Sequence, residues 1–255
     1  MSRRRTLNAA ARREAARTQA ERLQRQQRRN RGLIIGGVVL LVAAVAAAAF
    51  IIWTGSQATY LDDVERTPQG ADTRGGIPVA ADGTAGLAGD APRLDVYLDV
   101  QSPESVAFGQ AQGEALQALN AEGTIALWLH PVGLVDGGLG GASTRAGEAA
   151  VVVADRAPTA FVAFLDAAFE MRAGGAEQLN DRDLEALALQ VGAPQQVADQ
   201  FTDRLFDDWF VAATDQAVRD GVEVTPTLLL DGTRLAGDWS AEGALADAVT
   251  AVLAS

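Results

Sequence analysis

The sequence predicts an α/β domain behind a single membrane-spanning helix, with a βαβ unit and a ββα unit separated by an all-helical insertion. Three observations predict it. Residues 93–132 read strand–helix–strand, residues 143–221 hold only helical periodicity, and residues 227–253 return to a hairpin and a helix. Charge divides the chain as sharply. Residues 1–32 contain eleven Arg and two Glu, a net of +9, whereas the remainder sets ten Arg against thirty-one acids, a net of −21. So uneven a distribution suits a protein whose two ends occupy different compartments.

The basic leader 1–32 is followed by an apolar run, residues 33–53, with no charged residue between Arg31 and Asp62. At about 1.5 Å per residue such a helix crosses a hydrocarbon layer of roughly 30 Å. It is longer than the apolar core of a cleaved signal peptide, and its leader is long too, which favours an uncleaved anchor. Arginines on the N-terminal side place residues 1–32 in the cytoplasm and the remainder outside the cell membrane, in a single pass. The leader is read as a topology determinant. No aromatic residue interrupts its basic run, so no nucleic-acid partner is expected.

Residues 54–92 are rich in Gly, Ala, Asp, Thr and Pro without a sustained apolar period, and read as a flexible tether. Gly76–Val79 adds a short strand near its end. The outer domain, 93–255, opens on Arg93–Val100, where Leu94, Val96, Leu98 and Val100 alternate with Asp95, Tyr97 and Asp99, as in a strand with one buried face. Ser102 as N-cap and Pro103 as first helical residue start a helix that runs to about Ala121 and stops at Gly123. Thr124–Val132 forms the second strand and carries the chain's one histidine, His130, near its end.

The insertion, about 143–221, contains a helix over Thr144–Asp155 and another from Pro158. A third is capped by Asn180 or Asp181 and closes at Gly192, and a last one begins after Pro194. In that last helix Val197, Phe201, Leu205 and Trp209 recur at four-residue steps as a buried stripe. Thr227–Leu230, the Asp231-Gly232 turn and Arg234–Gly237 form a hairpin, and Ala241–Leu253 a final helix. This order is that of a thioredoxin-like fold with an all-helical insertion.

The chain contains no cysteine. Thiolate chemistry, cysteine-ligated zinc and iron–sulfur clusters are therefore excluded, and a single His excludes multi-histidine metal sites; no cofactor is expected. A Ser102 hydrolase would need a base, for which His130 is the one imidazole present, and no Gly-X-Ser-X-Gly elbow occurs.

A set of segments in this order resembles the DsbA-like family of membrane-tethered, extracytoplasmic thiol–disulfide oxidoreductases, especially its actinobacterial members. They are Asn8–Ala15, the anchor, Val96-Tyr97-Leu98-Asp99, His130-Pro131, Ser143–Ala146, Trp209, Val224-Thr225-Pro226-Thr227 and Asp231-Gly232. The departure is at Gln101-Ser102-Pro103-Glu104-Ser105, where the family carries Cys-Pro-X-Cys. The resemblance implies that Ser102 and Ser105 occupy degenerate redox positions and that Pro226 is a cis-proline. It also implies that Thr225 and Pro226 border a groove for an extended polypeptide.

Three readings follow. The first is a redox-inactive, membrane-tethered protein that binds a polypeptide, assists folding or scaffolds an envelope partner. The second is an oxidoreductase or isomerase by ancestry with residual activity on client proteins. The third is a hydrolase using Ser102.

Overall fold

The alternation at Leu94, Val96 and Leu98 produces a strand, and that strand is the centre of the fold. The structure is a computed structural model that describes residues 59–136 and 138–254. The five strands β1 (Ile77–Val79), β2 (Arg93–Leu98), β3 (Ala126–Pro131), β4 (Thr227–Leu230) and β5 (Thr233–Arg234) form one sheet in the order β1-β3-β2-β4-β5. β2 and β3 are parallel and joined by α1 (Pro103–Ala121); the other neighbouring pairs are antiparallel. Between β3 and β4 lie α2 (Ala142–Arg156), α3 (Phe161–Ala173), α4 (Asp181–Gln190), α5 (Gln195–Ala198) and α6 (Asp207–Arg219). The chain closes on α7 (Ala244–Leu253). The βαβ–helical insertion–ββα order is therefore the one expected.

Local signals account for most boundaries. Ser102 caps α1 with Pro103 in its first turn, and Gly123, at φ 71°, follows the helix end. Asn180 and Asp183 form a reciprocal capping box at α4. Asp231 and Gly232, at φ 46° and 79°, make the double-positive turn that suits the twist of the β4–β5 hairpin. One sheet face packs Leu98, Leu127 and Leu129 against Phe108 and Leu116 of α1 and Leu165 and Phe169 of α3. On the other, Tyr97 clusters with Val132, Ala217 and Val222.

Three expectations are corrected. The leader 1–32, the span 33–53 and residues 54–58 lie outside the described residues, but the tether expected over 54–92 is folded from Thr59 onward. Leu61, Ile77 and Val79 are buried, and β1 pairs with β3. This segment is held by side chains that no apolar period reports. Asp72 Oδ1 accepts the N–H groups of Arg74 and Gly76, and Asn120 Nδ2 donates to the carbonyls of Val79 and Ala80. Gly76 is needed for close approach, because a Cβ there would lie 2.7 Å from the His130 ring. Among the described residues no helix is long and apolar enough to cross a membrane.

The second correction concerns β2, which is buried on both faces rather than one. Asp95, Tyr97 and Asp99 are as inaccessible as Leu94 and Val96. Asp95 is tolerated because His130 Nε2 lies 2.7 Å from its Oδ1 and Arg93 Nε donates to the same oxygen at 2.8 Å. Burial works against the Asp95 carboxylate, yet these hydrogen bonds outweigh it and hold its pKa below the ordinary carboxylate value. The His130 ring stacks on Tyr97 with centroids 4.1 Å apart.

Third, the last helix of the insertion is not continuous. α5 gives way to a 3-10 turn at Asp199–Asp203, and Arg204 adopts a left-handed conformation at φ 52° before α6 begins. Val197, Phe201 and Trp209 are buried as the stripe predicts, whereas Leu205, beside the break, is half-buried. The break is stabilised by charge. Arg204 Nη2 donates to both oxygens of Asp181 at 2.8 and 3.0 Å, and Arg204 Nη1 lies 3.9 Å from Glu148 Oε2.

Glu148 is fully buried on α2 and accepts the Phe206 N–H at 3.2 Å. Burial is the main cause that pushes its carboxyl up to about 7 from an ordinary 4.5. The folded protein thus holds this proton more tightly than the unfolded chain. The group's contribution favours folding at low pH and is lost as pH rises from about 4.5 through about 7. Glu148→Gln is expected to flatten the decline in stability between pH 5 and pH 8 by up to about 3 kcal/mol in urea unfolding. An unchanged pH dependence in the variant would contradict this account of Glu148.

Candidate functional site

The end of β2, the start of α1 and the segment entering β4 meet at Ser102. Pro103 cannot donate a hydrogen bond and is preorganised for the first helical turn, so the preceding hydroxyl is free to cap the helix. Ser102 Oγ accepts the Ser105 N–H at 3.2 Å. Its own proton has two acceptors in reach, Glu104 Oε2 at 3.1 Å and the Thr225 carbonyl at 3.2 Å, and serves one at a time. Ser102 and Ser105 are both buried, and Ser105 Oγ accepts the Asp99 N–H at 3.3 Å. Both motif hydroxyls are thus engaged with backbone.

Asp99 holds the loop that presents this motif. Its Oδ1 accepts the Gln101 N–H at 2.8 Å, and its Oδ2 accepts the N–H groups of Leu134 and Val135, each at 2.8 Å. Burial raises its pKa even though these donors favour the carboxylate. From α3, Arg172 Nη2 donates to the Gln101 carbonyl at 3.2 Å, while its Nη1 donates to the carbonyls of Ala176 and Glu177. The Gln101 side-chain amide nitrogen is buried without a partner among the described residues.

The structure brings Ser102, Ser105, Thr225 and Pro226 together. The Thr225–Pro226 peptide bond is cis. The Thr225 carbonyl is occupied by Ser102, whereas its N–H donates to nothing among the described residues. Val224, just before it, is exposed, as is Val135 on the loop tied to Asp99. Ser102 and His130, in contrast, are not hydrogen-bonded to each other. The His130 Nε2 faces Asp95, and its Nδ1 is buried with no partner among the described residues. The arrangement therefore offers Ser102 no imidazole base. Nor do any three His, Asp or Glu side chains among the described residues form a group able to hold a metal ion.

The sequence places Asp99 on the strand and Gln101 in the motif but assigns neither a role, and it does not point to Arg172 at all. Asp99 carried one usable signal, an acid on the strand face opposite Leu98 and Val100. Arg172 carried none, since it reaches Gln101 from 71 residues away.

A family model described as thioredoxin matches residues 88–246. A search of curated proteins found no match. Among solved structures, the chain is similar to the MdbA protein, a thiol-disulfide oxidoreductase from Actinomyces oris. The identity is 25% and the TM-score 0.55, covering 64% of this chain and 80% of that one. It is likewise similar to the disulfide bond oxidoreductase DsbG from Mycobacterium tuberculosis, at 25% identity and a TM-score of 0.54, covering 64% of this chain and 78% of that one. BdbD from Bacillus subtilis shares the fold at 17% identity and a TM-score of 0.58, over 75% of this chain and 100% of that one.

The two motif serines are expected to differ energetically. Ser102→Ala removes the N-cap and leaves the Ser105 N–H without its acceptor, and is expected to cost about 1 kcal/mol in urea unfolding. Ser105→Ala loses one longer bond to the Asp99 N–H and is expected to cost roughly half as much. Equal effects would contradict the capping role of Ser102.

Proposed function

The chain belongs to the thioredoxin family, among its DsbA- and MdbA-type members, and we propose that it is a redox-silent member that binds polypeptide beside Thr225 and Pro226. One observation carries the binding reading. The Thr225 N–H is a backbone donor without an acceptor among the described residues, next to a cis Pro226 and the exposed Val224. An extended chain laid along this segment would supply a carbonyl to that N–H and an apolar side chain to Val224, which is strand addition on a small scale.

Redox silence follows from chemistry. Thiol–disulfide exchange needs a thiolate to attack one sulfur and a second thiol to resolve the mixed disulfide. A serine hydroxyl stays protonated at neutral pH and does not enter exchange with a disulfide, and the chain has no cysteine elsewhere. The same position at a helix N-terminus that would stabilise a thiolate here needs only a hydroxyl acceptor. The hydrolase reading has no imidazole base at Ser102, whose hydroxyl is committed to capping α1 and to Glu104 or the Thr225 carbonyl, so polypeptide binding is preferred to it.

The apolar run 33–53 and the arginines before it support a membrane-tethered domain facing away from the cytoplasm. Folding assistance and envelope scaffolding are the roles such a tethered binding domain would serve.

Two measurements test this. With oxidised glutathione as the electron acceptor, the protein is expected to add nothing to the oxidation of a reduced dithiol peptide, whereas Ser102→Cys/Ser105→Cys, its new dithiol oxidised to a disulfide by the glutathione, is expected to take the peptide's two electrons and turn over. Turnover by the unsubstituted protein would sink the redox-silent reading. Adding an unfolded, carboxymethylated client protein is expected to slow amide hydrogen exchange at Thr225 by at least about ten-fold, as a newly made backbone hydrogen bond requires. Exchange unchanged at saturating client would remove Thr225 from the binding site.

A further inference from the structure

We infer that the seam between α1 and α3 is a second binding site, one that takes a cationic, partly apolar segment of a polypeptide partner. The site is separate from Thr225 and does not rest on the binding reading above. α1 carries Gly109 and Gly113 one helical turn apart, and both line an open groove of about 410 Å³ against α3. That volume falls in the range of sites that hold a ligand group. At Gly109 the two helices touch, since a Cβ there would lie 2.9 Å from the Phe169 ring; at Gly113 the nearest atom to such a Cβ is Asp166 Oδ1, at 3.9 Å. The missing side chain at Gly113 is thus what keeps the groove open.

The groove joins an apolar surface to a rim of one charge. Phe169 lines it, and beneath lies a depression formed by Leu98, Leu116 and Leu165. Glu114, Asp166 and Glu170 stand along it, and no Arg lines it. None of the three carboxylates has an ion-pair partner among the described residues. The polar bond that Gln117 Nε2 donates to Asp166 Oδ2 at 2.8 Å brings no counter-charge. Burial and the nearby Glu170 both raise the Asp166 pKa, consistent with a carboxylate lacking a cation.

Charge complementarity selects the occupant. A metal ion is disfavoured, because the three carboxylates do not converge at ligand geometry. An Arg or Lys side chain fits both parts of the groove: its methylene stem lies on Phe169 and the bare glycine backbone while its head reaches the carboxylates. The groove starts about 9 Å along α1 from Pro103, by the helical rise, so it is also within reach of a chain that passes the motif.

The test uses the full chain in detergent micelles and a fluorescent decapeptide of alternating arginine and leucine, followed by anisotropy. The triple variant Glu114→Gln/Asp166→Asn/Glu170→Gln is expected to weaken binding at least about ten-fold, since each lost pairing removes part of an attraction concentrated at one place. Neutralising the exposed Asp90, Asp203 and Glu242 instead removes the same charge elsewhere and is expected to change binding less than about two-fold. Gly113→Leu keeps every charge, fills the groove and removes a helix-weakening glycine, and is expected to abolish binding in a folded protein. The proposal is overturned if both charge-neutral triples weaken binding equally, if Gly113→Leu leaves it intact, or if the peptide does not bind the unsubstituted chain.

Discussion

A central strand buried on both faces carries Asp95, and Asp99 follows at its end, so each of these buried acids must find its partners inside the protein. An unpaired carboxylate in that position would cost several kcal/mol. Asp95 is answered by the Arg93 guanidinium and by a hydrogen bond with His130, and Arg93 also pairs with Asp72. That pairing ties the strand to the segment before it. Asp99 is answered by backbone amides from Gln101, Leu134 and Val135, which fixes the loop leading into α1 against the loop after β3. The fold and the site are therefore held by the same requirement, the solvation of buried acids by the chain itself.

The capped start of α1 shows why this framework persists without sulfur. A helix N-terminus leaves backbone donors to be satisfied, and a hydroxyl at Ser102 does so as well as any side chain. The hydroxyl also reaches the Thr225 carbonyl, so Ser102 joins the helix to the cis-proline segment. Redox exchange makes a demand of another kind, a polarisable anion able to attack sulfur, and serine does not meet it. The geometry and the chemistry of the motif are separable, and this chain retains the first.

The parts of the fold that were legible in the sequence are those set by neighbouring residues. Ser102 followed by Pro103, Asn180 three residues before Asp183, and Asp231 followed by Gly232 each act within a single turn, and each boundary falls where these residues place it. The parts that were not legible depend on remote partners. Residues 59–92 look like a tether because their anchors are Arg93 on β2, which pairs with Asp72, and Asn120, reaching back some forty residues from α1. The break at Arg204 was hidden for the same reason, since apolar residues at four-residue steps suit both one bent path and one straight helix. Its stabilisers, Asp181 and Glu148, sit on other helices.

By itself the sequence determined the order of elements, the capping of α1, and the absence of any thiol, because periodicity, capping chemistry and elemental composition are properties of nearby or individual residues. Tertiary structure alone decided that Ser102 meets Thr225, 123 residues away, that His130 turns to Asp95 rather than to Ser102, and that the Thr225 N–H finds no acceptor among the described residues. Those outcomes follow from sheet register and helix packing. Register places Tyr97 opposite His130 and Thr227 opposite Tyr97, and no window of sequence contains both sides of such a pairing.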